Sequence, residues 1–359
     1  MAQSQIAKRV SDFCKKEGIR IPILMAPMAG ACPVPLAAAV ATAGGMGACG
    51  ALLMSPDGIK EWSAQMRAAS NGAFQVNLWI PDPAPERDLE HEAEVRAFLS
   101  QWGPEVSALD VEGSTPDFQA QCAAILEAGP AVVSSIMGVY PPEFVAQMKA
   151  RGIRWYATAT TVAEAEKAEA AGADVIVAQG MEAGGHRGAF SAEHASEHLI
   201  GLFSLLPAVV DAVRLPVIAT GGIADARGVA AALSLGASAV QLGTGLLRTP
   251  EAALPPVWAD AIGTARPEDT VATTAFSGRL GRSLRTAYTS AAAAPSAPAP
   301  APYPIQRNVT SKMRAEASKE SDLDRMQAWA GQSAGLSRAQ PAGDLVQALW
   351  QDTQQILNL

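Results

Sequence analysis

Cysteine is scarce: Cys14, Cys32, Cys49 and Cys122 are scattered through 359 residues without a CxxC pair. That spacing excludes a disulfide framework and a thiolate zinc site, and reduced thiols suit a cytoplasmic protein. Histidine is equally rare, with four residues and neither HExxH nor a tight His/carboxylate cluster, so no metal centre is expected. No apolar run reaches membrane-spanning length, and the opening MAQSQIAKRVSDFCKKEGIR lacks the apolar core of a secretory leader. GxxxxGK[ST] and a strand-following GxGxxG are both missing, which weighs against an ATPase or a Rossmann dinucleotide site. Charged residues make up only 17% and sum to a net charge of -8. An acidic surface argues against nucleic acid or anionic membranes as partners. An anionic small molecule would need a local positive pocket to offset that field. Nothing in the sequence specifies an oligomeric state.

What is present is a large apolar fraction, 49%, enough for one large domain or a barrel with an appended lobe. Short apolar runs alternate with Ala-rich amphipathic stretches from about residue 22 to 248. The runs fall at Ile23–Met28, Met46–Ala51, Phe74–Trp79, Ala131–Met137, Arg154–Thr160, Asp174–Gln179, Pro216–Thr220 and Ala239–Gly243. Segments such as Pro141–Arg151, Val162–Ala171 and Ala226–Leu235 separate them. Strand–helix alternation predicts a parallel sheet, and eight strands favour a closed (β/α)8 TIM barrel over an open doubly wound sheet. The third crossover, roughly 80–130, is long enough to hold extra helices. After Arg248 the rhythm stops, and the run AAAAPSAPAPAP over 291–302 reads as an extended, solvated linker or loop. The last segment, from about Asp322 to Leu359, is helical in pattern. The expected organisation is a barrel of 1–248 plus 325–359, with a smaller capping domain of 249–324 inserted after the last strand.

Four constellations carry the chemistry. The strand VIVAQ breaks at Gly180 into a loop, GMEAGGHRG, whose glycines admit a ligand close to the backbone and which holds His186 and Arg187. An imidazole and a guanidinium there suit a planar, anionic ligand. Ala26-Pro27-Met28 ends the first strand and offers a small, flat wall with a soft thioether, although an ordinary tight turn reads the same way. Asn77 and Gln179 put amides at two strand ends, which suit the alternating polar edge of a flavin or purine as well as a structural role. Gly221-Gly222 and Gln241-Leu242-Gly243-Thr244 follow the last two strands, where successive amides and a helix N-terminus form a phosphate nest. Tyr303-Pro304 and Trp329-Ala330-Gly331-Gln332 are placed to line the mouth, or simply to pack on it. His91, His194 and His198 receive no role.

Taken in order, PILMAPMAG, AAAVATAGGMG, VNLW, VIVAQGMEAGGHRG, VIATGGIAD, AVQLGTGLL and a late GQ resemble the nitronate monooxygenases, also called 2-nitropropane dioxygenases. The likeness runs over nearly the whole chain and follows the class with an APM turn rather than a GGM turn. It implies FMN, with phosphate on the Gly221–Gly222 and Gln241–Thr244 loops. It implies isoalloxazine contacts from Met28, Asn77, Gln179 and Gly184, with Gly185 beside them, and His186 over the flavin as the catalytic residue. The implied reaction is oxidative denitrification of alkyl nitronates, such as propionate 3-nitronate, with O2, giving a carbonyl product and nitrite. His186 would steer the anion if protonated or abstract an α-proton if neutral. The alternatives are an FMN-dependent NAD(P)H:quinone or enoyl-thioester reductase of the same fold, a non-redox barrel binding a phosphorylated metabolite, and a flavin-binding module without turnover.

Overall fold

The structure is a computed structural model and describes residues 2–70, 72–112 and 116–359. Its strands, in chain order, are β1 (Ile23–Met25), β2 (Gly47–Gly50), β3 (Phe74–Trp79), β4 (Val132–Ile136), β5 (Arg154–Ala159) and β6 (Val175–Gln179). Then follow β7 (Gly185–His186), β8 (Val217–Thr220), β9 (Ala239–Leu242), β10 (Thr270–Thr273) and β11 (Gly281–Leu284). Eight of these form one parallel sheet in the order β1-β9-β8-β6-β5-β4-β3-β2. Met46 closes the ring: its carbonyl accepts from Met25 N at 2.9 Å and its N–H donates to Ile23 O at 3.3 Å. The eight strands are those the sequence predicts, trimmed by a few residues at some ends.

Burial on both faces makes the barrel strands run apolar rather than alternate. Every residue of β6 and β8 is buried, and Val175, Ile176, Ala178, Ile218 and Ala219 have no exposed surface. Each such Val or Ile contributes about 1.5–3 kcal/mol relative to exposure. The crossover helices carry their own start signals. Ser55, Asp117, Thr161 and Asp225 each cap a helix by accepting from the N–H three residues on. The long third crossover holds the helices Leu89–Leu99 and Phe118–Ala128. Among the described residues no helix is long and apolar enough to cross a membrane.

Beyond β9 the chain builds a second, three-stranded antiparallel sheet, β10-β11-β7. Its edge strand β7 is contributed by the loop after β6, so the sheet is stitched into the barrel mouth. Two expectations need correction here. The stretch from Asp322 is not helical throughout: the helix is Ala342–Leu357, after Pro341, and 327–331 is non-helical with Trp329 bridged to Ser283. Gly331 and Gly335 remove the helical preference that the flanking alanines suggest. The Ala/Pro run is likewise not a free linker. It opens in the helix Ala287–Ala292, and Ala301 is fully buried with its N–H on Gln306 Oε1.

Candidate active site

The C-terminal tips of the barrel strands enclose a cavity of about 230 Å³. Of the predicted site residues, Ala26, Pro27, Met28, Asn77, Gln179, Gly184, Gly185, His186, Gly221, Gly222, Gln241, Gly243 and Thr244 all line it. Leu242 does not. Its side chain is buried in the core on the face of β9 opposite Gln241, and its carbonyl accepts from Ala26 N at 2.8 Å.

The loop after β6 is held by its own polar groups. Gln179 is engaged at both ends: Nε2 donates to His186 O at 3.1 Å and Oε1 accepts from Gly188 N at 2.7 Å. Its amide therefore braces the loop at the cavity wall. Gly184 permits the loop to pack directly on the 330–331 backbone, since a Cβ there would sit 2.5 Å from Gly331 N. Arg187 corrects the sequence reading more sharply. It is buried away from the cavity, where its guanidinium donates to the carbonyls of Gln179 (2.6 Å), Thr160 (3.2 Å) and His198 (3.0 Å). It ties strand ends together and is not a ligand cation.

The positive charge at the cavity comes instead from Arg307 and Arg314, which the sequence reading missed. They lie seven residues apart on the consecutive helices Ile305–Val309 and Ser311–Glu320. Two helical turns return a side chain to the same face, and that spacing is the signal that marks them. Arg314 donates to Thr310 Oγ1 (3.2 Å), Gln327 Oε1 (3.0 Å) and Arg307 O (2.8 Å), all neutral acceptors. Burial and the neighbouring Arg307 push it down to about 10. No Asp or Glu is among the described residues lining the cavity. The remaining nearby cation, Arg279, is neutralised by bidentate contacts with Asp82 at 2.9 and 2.7 Å.

His186 sits between two indole rings, Trp79 at 4.6 Å and Trp329 at 4.9 Å, both edge-on. Its Nε2 lies 2.7 Å from Ser277 Oγ. Burial, with the positive charge of Arg279, Arg307 and Arg314, pushes the imidazole down to about 3. It is neutral at physiological pH, so any attraction for an anion belongs to the arginines. Tyr303 packs on Trp79 at 5.5 Å, outside the cavity lining, whereas Trp329 and Gly331 reach it.

The residues fit a flavin phosphate. The N–H groups of Gly221, Gly222, Gly243 and Thr244 donate to no protein acceptor among the described residues, and all four line the cavity. The helix that follows is not the donor, because Asp225 already accepts from Gly228 N at 3.0 Å; the loop amides carry the nest instead. Asn77 donates Nδ2 to Ser134 Oγ at 3.1 Å and keeps Oδ1 unpaired, while Gln241 accepts from Gln75 at 3.1 Å and keeps Nε2 unpaired. One acceptor and one donor thus face the cavity from the barrel interior, matching a ring edge that presents both.

Known proteins resemble this chain over nearly its whole length. The family profile for nitronate monooxygenase matches residues 11–352. A nitronate monooxygenase of Paraburkholderia phytofirmans is 39% identical over 344 residues, covering 94% of this chain and 93% of that protein. The crystal structure of a nitroalkane oxidase from Streptomyces ansochromogenes superposes with a TM-score of 0.86 at 36% identity, covering 94% of this chain and 96% of its own. FabK from Thermotoga maritima shares the barrel, with a TM-score of 0.75 at 29% identity over 98% of this chain and 97% of its own. By that profile and that identity, the chain belongs to the nitronate monooxygenase family of oxidoreductases.

Proposed function

We propose that the protein catalyses FMN-dependent oxidative denitrification of alkyl nitronates with O2, releasing a carbonyl compound and nitrite. One observation carries the reading: a cavity with two uncompensated guanidinium groups and a neutral imidazole, yet no carboxylate, in a chain of net charge -8. Such a site concentrates an organic anion that the rest of the surface repels. A nitronate with a second anionic group, such as propionate 3-nitronate, uses both arginines.

Bound FMN supplies the redox chemistry. Its phosphate would be held by the amides of Gly221, Gly222, Gly243 and Thr244. Its ring would lie against Ala26-Pro27-Met28 and Gly184-Gly185, within reach of Asn77 Oδ1 and Gln241 Nε2. Arg307 and Arg314 bind and orient the anion. Trp79 and Trp329 hold the imidazole in place and exclude water around it. His186, being neutral, is available to take the α-proton of a nitroalkane, while a preformed nitronate needs no such step.

The test is aerobic oxygen uptake and nitrite release by the purified protein with propionate 3-nitronate. Turnover in a flavin-replete preparation is expected, with Arg307→Gln raising KM about tenfold through the loss of one charge-assisted contact. A fully flavinated protein that consumes no oxygen, yet is rapidly bleached by NADH without air, would instead be a reductase.

A further inference from the structure

Ser277 belongs to no glycine loop and to none of the strand tips, yet its hydroxyl is the only hydrogen-bond partner of His186's ring among the described residues. It is buried to 1% exposure, in the turn between β10 and β11. Three groups surround Ser277 Oγ. Arg279 N approaches at 3.3 Å, Arg279 O at 3.2 Å and His186 Nε2 at 2.7 Å. A hydroxyl has one proton and two accepting lone pairs. Arg279 N–H must donate, so it takes one lone pair. The carbonyl of Arg279 must accept, so it takes the proton. What remains for the imidazole is a lone pair, and a lone pair can only be met by an N–H.

The opposite assignment, with the serine proton on Nε2, leaves the buried carbonyl of Arg279 without a donor, a state that folded proteins avoid. We propose that Ser277 is a positioning residue that locks neutral His186 in the Nε2–H tautomer, making Nδ1 the basic atom of the site. Nδ1 has no protein partner among the described residues, on a ring that lines the cavity. Trp79 and Trp329 pack against the imidazole at 4.6 and 4.9 Å and restrain it with Nε2 on Ser277. A ring neutral at working pH carries a single proton, so its location decides which nitrogen can accept another. The step itself is a proton transfer: the nitroalkane Cα–H bond breaks, its electron pair stays on the substrate as the nitronate, and the proton moves to Nδ1. This inference rests on His186 being the base of the proposed reaction, but its structural half stands apart from turnover.

The experiment is ¹⁵N NMR of the purified holoprotein labelled at histidine. Four histidines give few signals, and His186→Asn identifies the one that matters. The expected spectrum shows a protonated Nε2 and an unprotonated Nδ1 at neutral pH. Ser277→Ala should move this signal toward a tautomer mixture and lower kcat for a neutral nitroalkane by about ten- to a hundredfold with a smaller change in KM, as happens when the orienting partner of a functional histidine is removed. Ser277→Thr should restore both. A protonated Nδ1 in the wild-type protein, or a spectrum unmoved by Ser277→Ala, overturns the proposal. If the tautomer is as stated but no nitroalkane or nitronate is consumed, the positioning is right and the proposed reaction is wrong.

Discussion

At the scale of the residue, His186 was legible and its protonation was not. An AGGHRG loop after a buried strand marks the histidine, but its charge state depends first on burial and then on Arg279, Arg307 and Arg314, which arrive from 90 or more positions away. Arg187 was misread for the same reason: proximity in sequence says nothing of where a guanidinium points. His186→Asn is expected to retain FMN and lose turnover of neutral nitroalkanes by about a hundredfold, the scale of a positioned base. Because the folded-state value lies near 3, turnover of a preformed nitronate should show no inflection from this group between pH 5 and 8. The stability consequence has a definite sign. Below about pH 6.5 the unfolded chain protonates this imidazole first, so folding weakens as pH falls from 6.5 toward 3. His186→Asn should therefore show a shallower loss of thermal stability over that window, and an unchanged slope would show that the imidazole titrates normally in the fold.

Elements divide into those whose pattern is local and those whose pattern is not. Strands β6 and β8 are runs of Val, Ile and Ala between turn residues, and the helices Pro56–Ala69, Val162–Ala170 and Ala226–Ser234 bear Ser, Thr or Asp caps, so sequence alone places them. The small sheet escaped because β7 is only Gly185–His186 and β10 and β11 read as polar loops; each exists through long-range partners. The glycine loops show both sides. Gly222 looks from sequence like the place to insert a charge against phosphate, so that Gly222→Asp would expel FMN. In the fold its added Cβ would sit 3.1 Å from Glu182 Cβ, on backbone with φ +69, so that variant reports strain and a carboxylate clash instead. Gly243 is the cleaner probe: φ is -106, and an added Cβ meets Ala26 and Met28 at ordinary contact distances of 3.5 and 3.6 Å. Gly243→Asp should lower flavin content per protein at least tenfold, with Gly243→Ala retaining most of it. Equal flavin retention in both would place the phosphate elsewhere.

For the whole molecule, the question is whether residues 249–324 form a separable cap, the division we propose from where the strand–helix rhythm stops. The contacts argue against mechanical independence. Arg279 of the segment pairs with Asp82 of a barrel crossover, Arg282 donates to Met181 O at 2.9 Å, and β11 is zipped to β7. From the other side, Leu284 N donates to Ala328 O at 2.9 Å and Ala330 N donates to Arg282 O at 3.3 Å, joining β11 to the barrel's own closing segment. Each tie crosses the line between the two parts, so opening one exposes buried polar groups of the other. Cap and barrel are thus expected to melt in one transition, with far-ultraviolet circular dichroism, tryptophan fluorescence and flavin release sharing a midpoint. Trp258 of the 249–324 segment, on the cavity wall, and Trp155 in the barrel report the two parts through the same signal. Two resolved midpoints, with flavin released at the lower, would make 249–324 an independent folding unit. They would also show that the interface, rather than the barrel, sets how long the arginines and His186 stay assembled.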